Sequence, residues 1–212
     1  MNAKTSPATE ASLVVPGLPT PSHPEGGFFT LKSPPVTING TKDQVLDVLL
    51  RVEAYHSWST FLCDAGNIVH PENINGGENS HGEIDPSLVT VGSKFDVTFR
   101  LFPNFPSMTT KSTETIVSIE KSEEKYVVTW KSSDVAAERV HIISDPEEGY
   151  GTCTYETYET FQTSMKTYIM KWFLESVLTT GFGEWSAEVK RATEGRMSIG
   201  HSEDPSRTWG HR

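Results

Sequence analysis

Val45, Val48, Leu49 and Val52 recur at helical spacing behind Thr41, and predict a short amphipathic helix with one buried stripe. Thr41 suits the N-cap, and Asp43 places a negative charge in the first turn, where the helix dipole favours it. Tyr55, Trp58 and Phe61 follow, too apolar for a free loop. The pattern then changes period. Phe95, Val97, Phe99 and Leu101 alternate with Lys94, Asp96, Thr98 and Arg100, which predicts a half-buried strand over Lys94 to Phe102. Further strands are predicted over Phe28 to Ile38, Phe61 to Val69, Thr110 to Glu120, Lys125 to Lys131, Ala137 to Ser144 and Thr152 to Phe161. Pro34-Pro35 breaks the first of these, as fits an edge or a bulge. A final helix starts near Ser164, with Met165, Ile169, Trp172, Phe173 and Val177 as its buried stripe. Gly181-Phe182-Gly183 either kinks it or makes room beside a ligand. It resumes through Trp185 and Val189 to Glu194, and Gly195 is a natural stop.

Runs of strands closed by a helix indicate an α+β domain, not a parallel α/β sheet. Residues 1–26, rich in Pro, Ser, Thr and Gly, read as a flexible N-terminal arm, residues 27–195 as the folded domain, and residues 196–212 as a C-terminal tail. His70 to Leu88 is a polar loop rich in Gly and Asn. It is either a lid or disordered, and its few apolar anchors favour disorder. The apolar turn Phe102-Pro103-Asn104-Phe105-Pro106 is expected at a cavity mouth.

A formal net charge of −10 with no basic cluster argues against nucleic acid and against docking on anionic lipid. It leaves a neutral lipophilic ligand open. Cys63 and Cys153 are too few for a disulfide framework and read as buried thiols of a reducing compartment. No apolar run reaches the length of a membrane span, and no signal peptide is evident, so a cytoplasmic location is expected. The histidines, His23, His56, His70, His81, His141, His201 and His211, are too scattered for a metal site. No nucleophile elbow, phosphate loop or dinucleotide fingerprint occurs. No metal or nucleotide cofactor is therefore expected.

Several landmarks in order resemble the START-like superfamily, which includes polyketide cyclase/dehydrase-like, coenzyme Q-binding and Bet v 1 proteins. They are Ile38-Asn39-Gly40, Val45, the Tyr55-x-x-Trp58-x-x-Phe61 turn, Val91-Gly92, Trp130, Gly151-Thr152, and Phe182 with Val189-Lys190 and Glu194. Leu46 departs from the usual Trp, and Val189 from the usual Leu. The resemblance covers about residues 28 to 194. It implies the helix-grip fold: a curved antiparallel sheet of about seven strands around a long C-terminal helix, with short helices after strand 1. It also implies a central hydrophobic cavity for a polyketide, isoprenoid or lipid. The superfamily contains cyclases or isomerases working by acid/base chemistry, non-catalytic carriers or sensors, and protein-interaction modules.

On this reading the ligand is lined by Trp58, Phe95, Val97, Phe99, Trp130, Ile169, Trp172 and Phe173, each of which would otherwise be ordinary core. Glu114 shares a strand face with Met108 and Ile116, and either points inward or is a strand-end charge. His141 lies on a strand whose two faces are both half apolar. In the last strand Thr152, Thr154, Glu156 and Tyr158 share one face, and Cys153, Tyr155, Thr157, Glu159 and Phe161 the other. Apolar count favours the second face as inward; the Gly151-Thr152 landmark favours the first. Following the landmark assembles Glu156, His141 and Tyr158 as a candidate acid/base cluster for enolising a ketone.

Overall fold

The structure, a computed structural model, describes residues 11–79, 82–101, 107–146 and 151–200. The Phe102–Pro106 turn, His81, His201 and His211 lie outside the described residues. The chain runs β1 (Ser12–Val14), β2 (Phe29–Lys32), β3 (Val36–Asn39), α1 (Lys42–Leu50), a 3-10 turn (Val52–Ser57), β4 (Leu62–Val69), β5 (Gly77–Glu78) and β6 (Ile84–Asp85). It continues through β7 (Lys94–Arg100), β8 (Thr109–Lys121), β9 (Lys125–Ser132), β10 (Ala137–Ser144), β11 (Thr152–Phe161) and α2 (Met165–Gly200).

Local chemistry sets α1. The Thr41 hydroxyl accepts from the Gln44 backbone N–H, and the Gln44 side chain accepts from the Thr41 N–H, a reciprocal capping box. Val45, Val48, Leu49, Val52 and Tyr55 are all buried.

The large sheet has nine strands in the order β1-β2-β11-β10-β9-β8-β7-β4, every pairing antiparallel, with β3 on β11 as well. Two differences raise the count above about seven. Pro34 and Pro35 divide the first expected strand. Its halves β2 and β3 pair with the two halves of β11, because prolines have no N–H to give a ladder. Ser33 bridges the break: its N–H and hydroxyl both donate to the Thr157 carbonyl, and the Thr157 N–H donates back to Ser33 Oγ.

The second addition is β1, inside the segment read as an arm. Ser12–Val14 pairs with β2. The chain beyond crosses the outer face of β2, β11 and β10. There the Tyr158 hydroxyl donates to the Pro19 carbonyl (2.9 Å), and Ser22 donates from N–H and hydroxyl to the buried Glu138 carboxylate (3.0 and 2.6 Å). Polar composition misled here because these contacts are hydrogen bonds and not apolar anchors. The loop after β4 is likewise held. Arg51 pairs with Asp85 at 2.9 Å, His70 bonds Ser93 and the Pro86 carbonyl, and Leu88 and Val89 are buried. Disorder is therefore the wrong reading of its described part.

α2 is one continuous helix across Gly181 and Gly183, and continues past Gly195. Its inner stripe is Met170, Leu174, Leu178, Phe182, Trp185 and Val189, in steps of three and four. Its second half is clamped by polar contacts: Glu188 accepts from the Ser59 hydroxyl and Thr60 N–H (both 2.9 Å), and Glu194 from the Asn39 N–H (2.9 Å). The inner face of the sheet and this helix enclose the core. This is the helix-grip arrangement, α+β throughout.

Candidate functional site

Beneath the first half of α2 the core is not filled. A cavity of about 170 Å³ lies between that helix and the inner face of β7, β8 and β11. Phe61, Phe99, Leu101, Phe161, Met170, Leu174, Leu178 and Phe182 form its apolar wall. Alternation on β8 turns Thr110, Ser112 and Glu114 inward together, and Ser132 on β9 and Glu159 on β11 join them. Lys111 stands, exposed, at the mouth.

Glu114 is 7% exposed. A directed chain reaches it: the Val135 N–H donates to Ser132 Oγ (3.2 Å), Ser132 Oγ bonds Ser112 Oγ (2.8 Å), and Ser112 Oγ donates to Glu114 Oε1 (2.9 Å). Burial, reinforced by the charge of Glu159, pushes the Glu114 carboxyl up to about 7. Burial raises Glu159 as well, with Arg139 opposing. Arg139 is the cross-strand partner of Glu159 and is 4% exposed. Its guanidinium lies 4.3 Å from the Phe182 ring centre and 4.9 Å from that of Trp185. Nε donates to Thr157 Oγ1 at 3.3 Å and Nη2 has no partner among the described residues. Among the described residues no direct ion pair joins Arg139 to either glutamate.

Deeper under α2 sits a second polar unit. Trp185 Nε1–H donates to Tyr155 Oη at 2.8 Å, and Tyr155 Oη lies 2.8 Å from His141 Nδ1. The phenol oxygen thus accepts from Trp185 and shares a second hydrogen bond with the imidazole. Nε2 has no partner among the described residues. His141 is fully buried with its ring centre 4.3 Å from that of Trp130 at a tilt of 50°, and burial, with Arg139 adding to it, holds it neutral. Burial raises Tyr155 to about 12.

The inward face of β11 is Cys153, Tyr155, Thr157, Glu159 and Phe161. Glu156 and Tyr158 are on the outer face, where Glu156 pairs with Lys32 at 3.3 Å and Tyr158 bonds Pro19. The apolar count gives the right parity and the Gly151-Thr152 landmark the wrong one, because one residue of offset reverses every side chain. His141 does point inward, but without Glu156 or Tyr158 as partners.

On α2, Ile169 (52% exposed), Trp172 (75%) and Phe173 (79%) face solvent. The helix carries two apolar stripes one position apart. The one through the half-buried Met170 and Leu174 and the buried Leu178 faces the sheet because Phe182, Trp185 and Val189 extend it into the core. Phe99 lines the cavity; Phe95 and Val97 are buried in the core beside it, and Trp130 packs on Phe95 and His141. Trp58, half-buried, packs on Tyr55 and Trp185 with its Nε1 unpartnered. Glu114 lines the cavity. Arg139, Glu159 and Tyr155 escaped sequence reasoning; the parity of β11 is the signal that would have found them.

No family model matches the sequence, and no curated protein matches it. Solved structures are similar in fold. The hypothetical protein jhp0584 from Helicobacter pylori aligns at TM-score 0.55 and 12% identity, over 91% of this chain and 97% of that one. A START superfamily protein from Mycobacterium smegmatis aligns at TM-score 0.49 and 9% identity, over 80% and 97%. Ara h 8.0201 aligns at TM-score 0.46 and 14% identity, over 80% and 97%. At such identities the likeness speaks of fold alone: the chain shares its overall fold with jhp0584, and the grip of the sheet on the long C-terminal helix stands on its own geometry.

Proposed function

We propose that the protein binds a lipophilic small molecule in the cavity under the first half of α2. The observation that carries this reading is an apolar wall closed at one end by Glu114, a buried carboxyl with only one of its oxygens bonded by Ser112. Such a pocket takes an apolar body and fixes it by a few placed polar groups. A carboxyl at about 7 also has the protonation balance of a general acid/base at neutral pH, so it supports cyclisation or isomerisation of the bound molecule. The free thiols of Cys63 and Cys153 suit a reducing, cytoplasmic setting. No helix among the described residues is long and apolar enough to cross a membrane, which fits exchange of ligand with solvent.

The test is native mass spectrometry of protein purified from its own source, alongside a Leu174→Trp variant that fills the cavity. A co-purifying apolar molecule lost in the variant supports the reading. An unliganded mass, together with no calorimetric binding of small apolar probes by the wild type, overturns it.

A further inference from the structure

The hydrogen-bond inventory at the Glu114 end of the cavity is lopsided, and this points to the head group it takes; the remaining lining donors, Thr110 and Lys111, are exposed. The proposal rests on the ligand-binding reading above. Ser112 spends its proton on Glu114, and Ser132 spends its own on Ser112. The acceptors are not spent. Glu114 receives one hydrogen bond, and Glu159 receives none among the described residues. A carboxylate pair has about four lone-pair sites per group, so most of its acceptor capacity faces the cavity unused.

Charge points the same way. Glu114 is faced by Glu159 from β11, Arg139 from β10 and Asp134 from the β9–β10 turn, with Lys111 exposed at the mouth. α2 presents only apolar side chains to it: Met170, Leu174, Leu178 and Phe182. Arg139 is held between the rings of Phe182 and Trp185 and makes no direct pair with either carboxylate. Glu114, Glu159 and Arg139 together sum to one net negative charge when ionised.

We propose that the ligand is a lipophilic amine, whose ammonium group donates to Glu114 and Glu159 while its apolar body fills the space beneath Met170, Leu174 and Phe182. An ammonium replaces the proton that Glu114 otherwise holds near neutral pH, so binding releases a proton. A carboxylate head adds a third like charge beside Glu114 and Glu159, which disfavours it at that end of the cavity.

Isothermal titration calorimetry with hexylamine, hexanol and hexanoate tests this, at millimolar ligand and at pH 6 and pH 8. At pH 8 hexylamine is expected to bind at least about tenfold tighter than hexanol, and hexanoate weakest. Between pH 8 and pH 6 hexylamine affinity falls several-fold, and buffers of different ionisation enthalpy report the released proton. Glu114→Gln abolishes the advantage of the amine and spares hexanol; Glu159→Gln reduces that advantage. Equal affinity for amine and alcohol, or preference for hexanoate, overturns the amine assignment and leaves the cavity reading standing. Binding of none of the three removes both.

Discussion

The Phe61 ring lies directly against the backbone of Gly181, so closely that a Cβ on Gly181 would run into Cδ2 and Cε2 of Phe61 and stand 3.0 Å from its Cζ. Phe61 is also the partition between two spaces. On one side is the cavity with Glu114; on the other a groove of about 400 Å³ lined by Thr60, Arg100, Ser176, Val177, Thr180 and Glu184. The glycine thus serves a wall of the cavity and not a kink of the helix.

Gly181→Ala is expected to destabilise although alanine is the better helix former. The propensity gain is about 1 kcal/mol, while overpacking a buried ring costs about 1–3 kcal/mol. Denaturant unfolding should therefore show a net loss of up to about 2 kcal/mol, by difference of those two figures. In a Phe61→Leu background, where the ring is gone, the same change should become neutral or stabilising. Equal effects in both backgrounds would show that Phe61 is not the constraint.

Tyr155 links two buried partners through one oxygen. Tyr155→Phe leaves Trp185 Nε1–H without its acceptor and His141 Nδ1 without its partner. Each orphaned group costs about 1–3 kcal/mol, so a loss of roughly 2–6 kcal/mol is expected. Trp185 fluorescence should shift as its indole loses the bond. A loss below about 0.5 kcal/mol would mean that the relay contributes little net stability.

The two apolar stripes of α2 predict opposite sensitivities. Trp172→Ala and Phe173→Ala remove exposed side chains and should change stability by within about 0.5 kcal/mol. Phe182→Ala empties the core beneath the same helix and should cost about 3–5 kcal/mol. Comparable costs at Trp172 and Phe182 would mean that the outer stripe is covered in solution.

What the sequence made legible is what local rules decide. The Thr41 cap, the stripe of α1 and the alternation from Phe95 to Phe99 depend on neighbours within a few residues, and each appears where expected. The inward face of β11 depends on its register with β10 and on the Pro34-Pro35 break, set by pairings over a hundred residues apart in the chain on the β2 side. A two-residue landmark cannot fix that parity, whereas Tyr155 and Phe161, counted as apolar, do. Arg139 and Glu159 lie twenty residues apart in the chain, and only the β10–β11 register brings them opposite one another. On α2 both stripes have helical spacing, and only the continuation through Trp185 decides between them.

pH should expose the strain at Glu114. Its carboxyl holds a proton up to about 7 in the folded protein, against 4.5 for an unperturbed glutamate. Between these values the folded state binds more protons than the unfolded chain, so stability falls as pH rises. The contribution is fully present below 4.5 and lost as pH passes through about 7, on the order of 3 kcal/mol in all. His141 works in the opposite sense. Its folded form is held neutral, so its contribution is present above 6.5 and declines as pH falls below that value. The two offset each other in mildly acidic solution, and wild-type stability should vary little there. Glu114→Gln removes only the first contribution. The variant should melt several degrees above wild type at pH 8, given about 2–4 °C per kcal/mol for a domain of this size, and match it near pH 4. Wild type and variant melting in parallel from pH 4 to pH 8 would show that Glu114 ionises freely in the folded protein, and that the cavity is wet enough to solvate it.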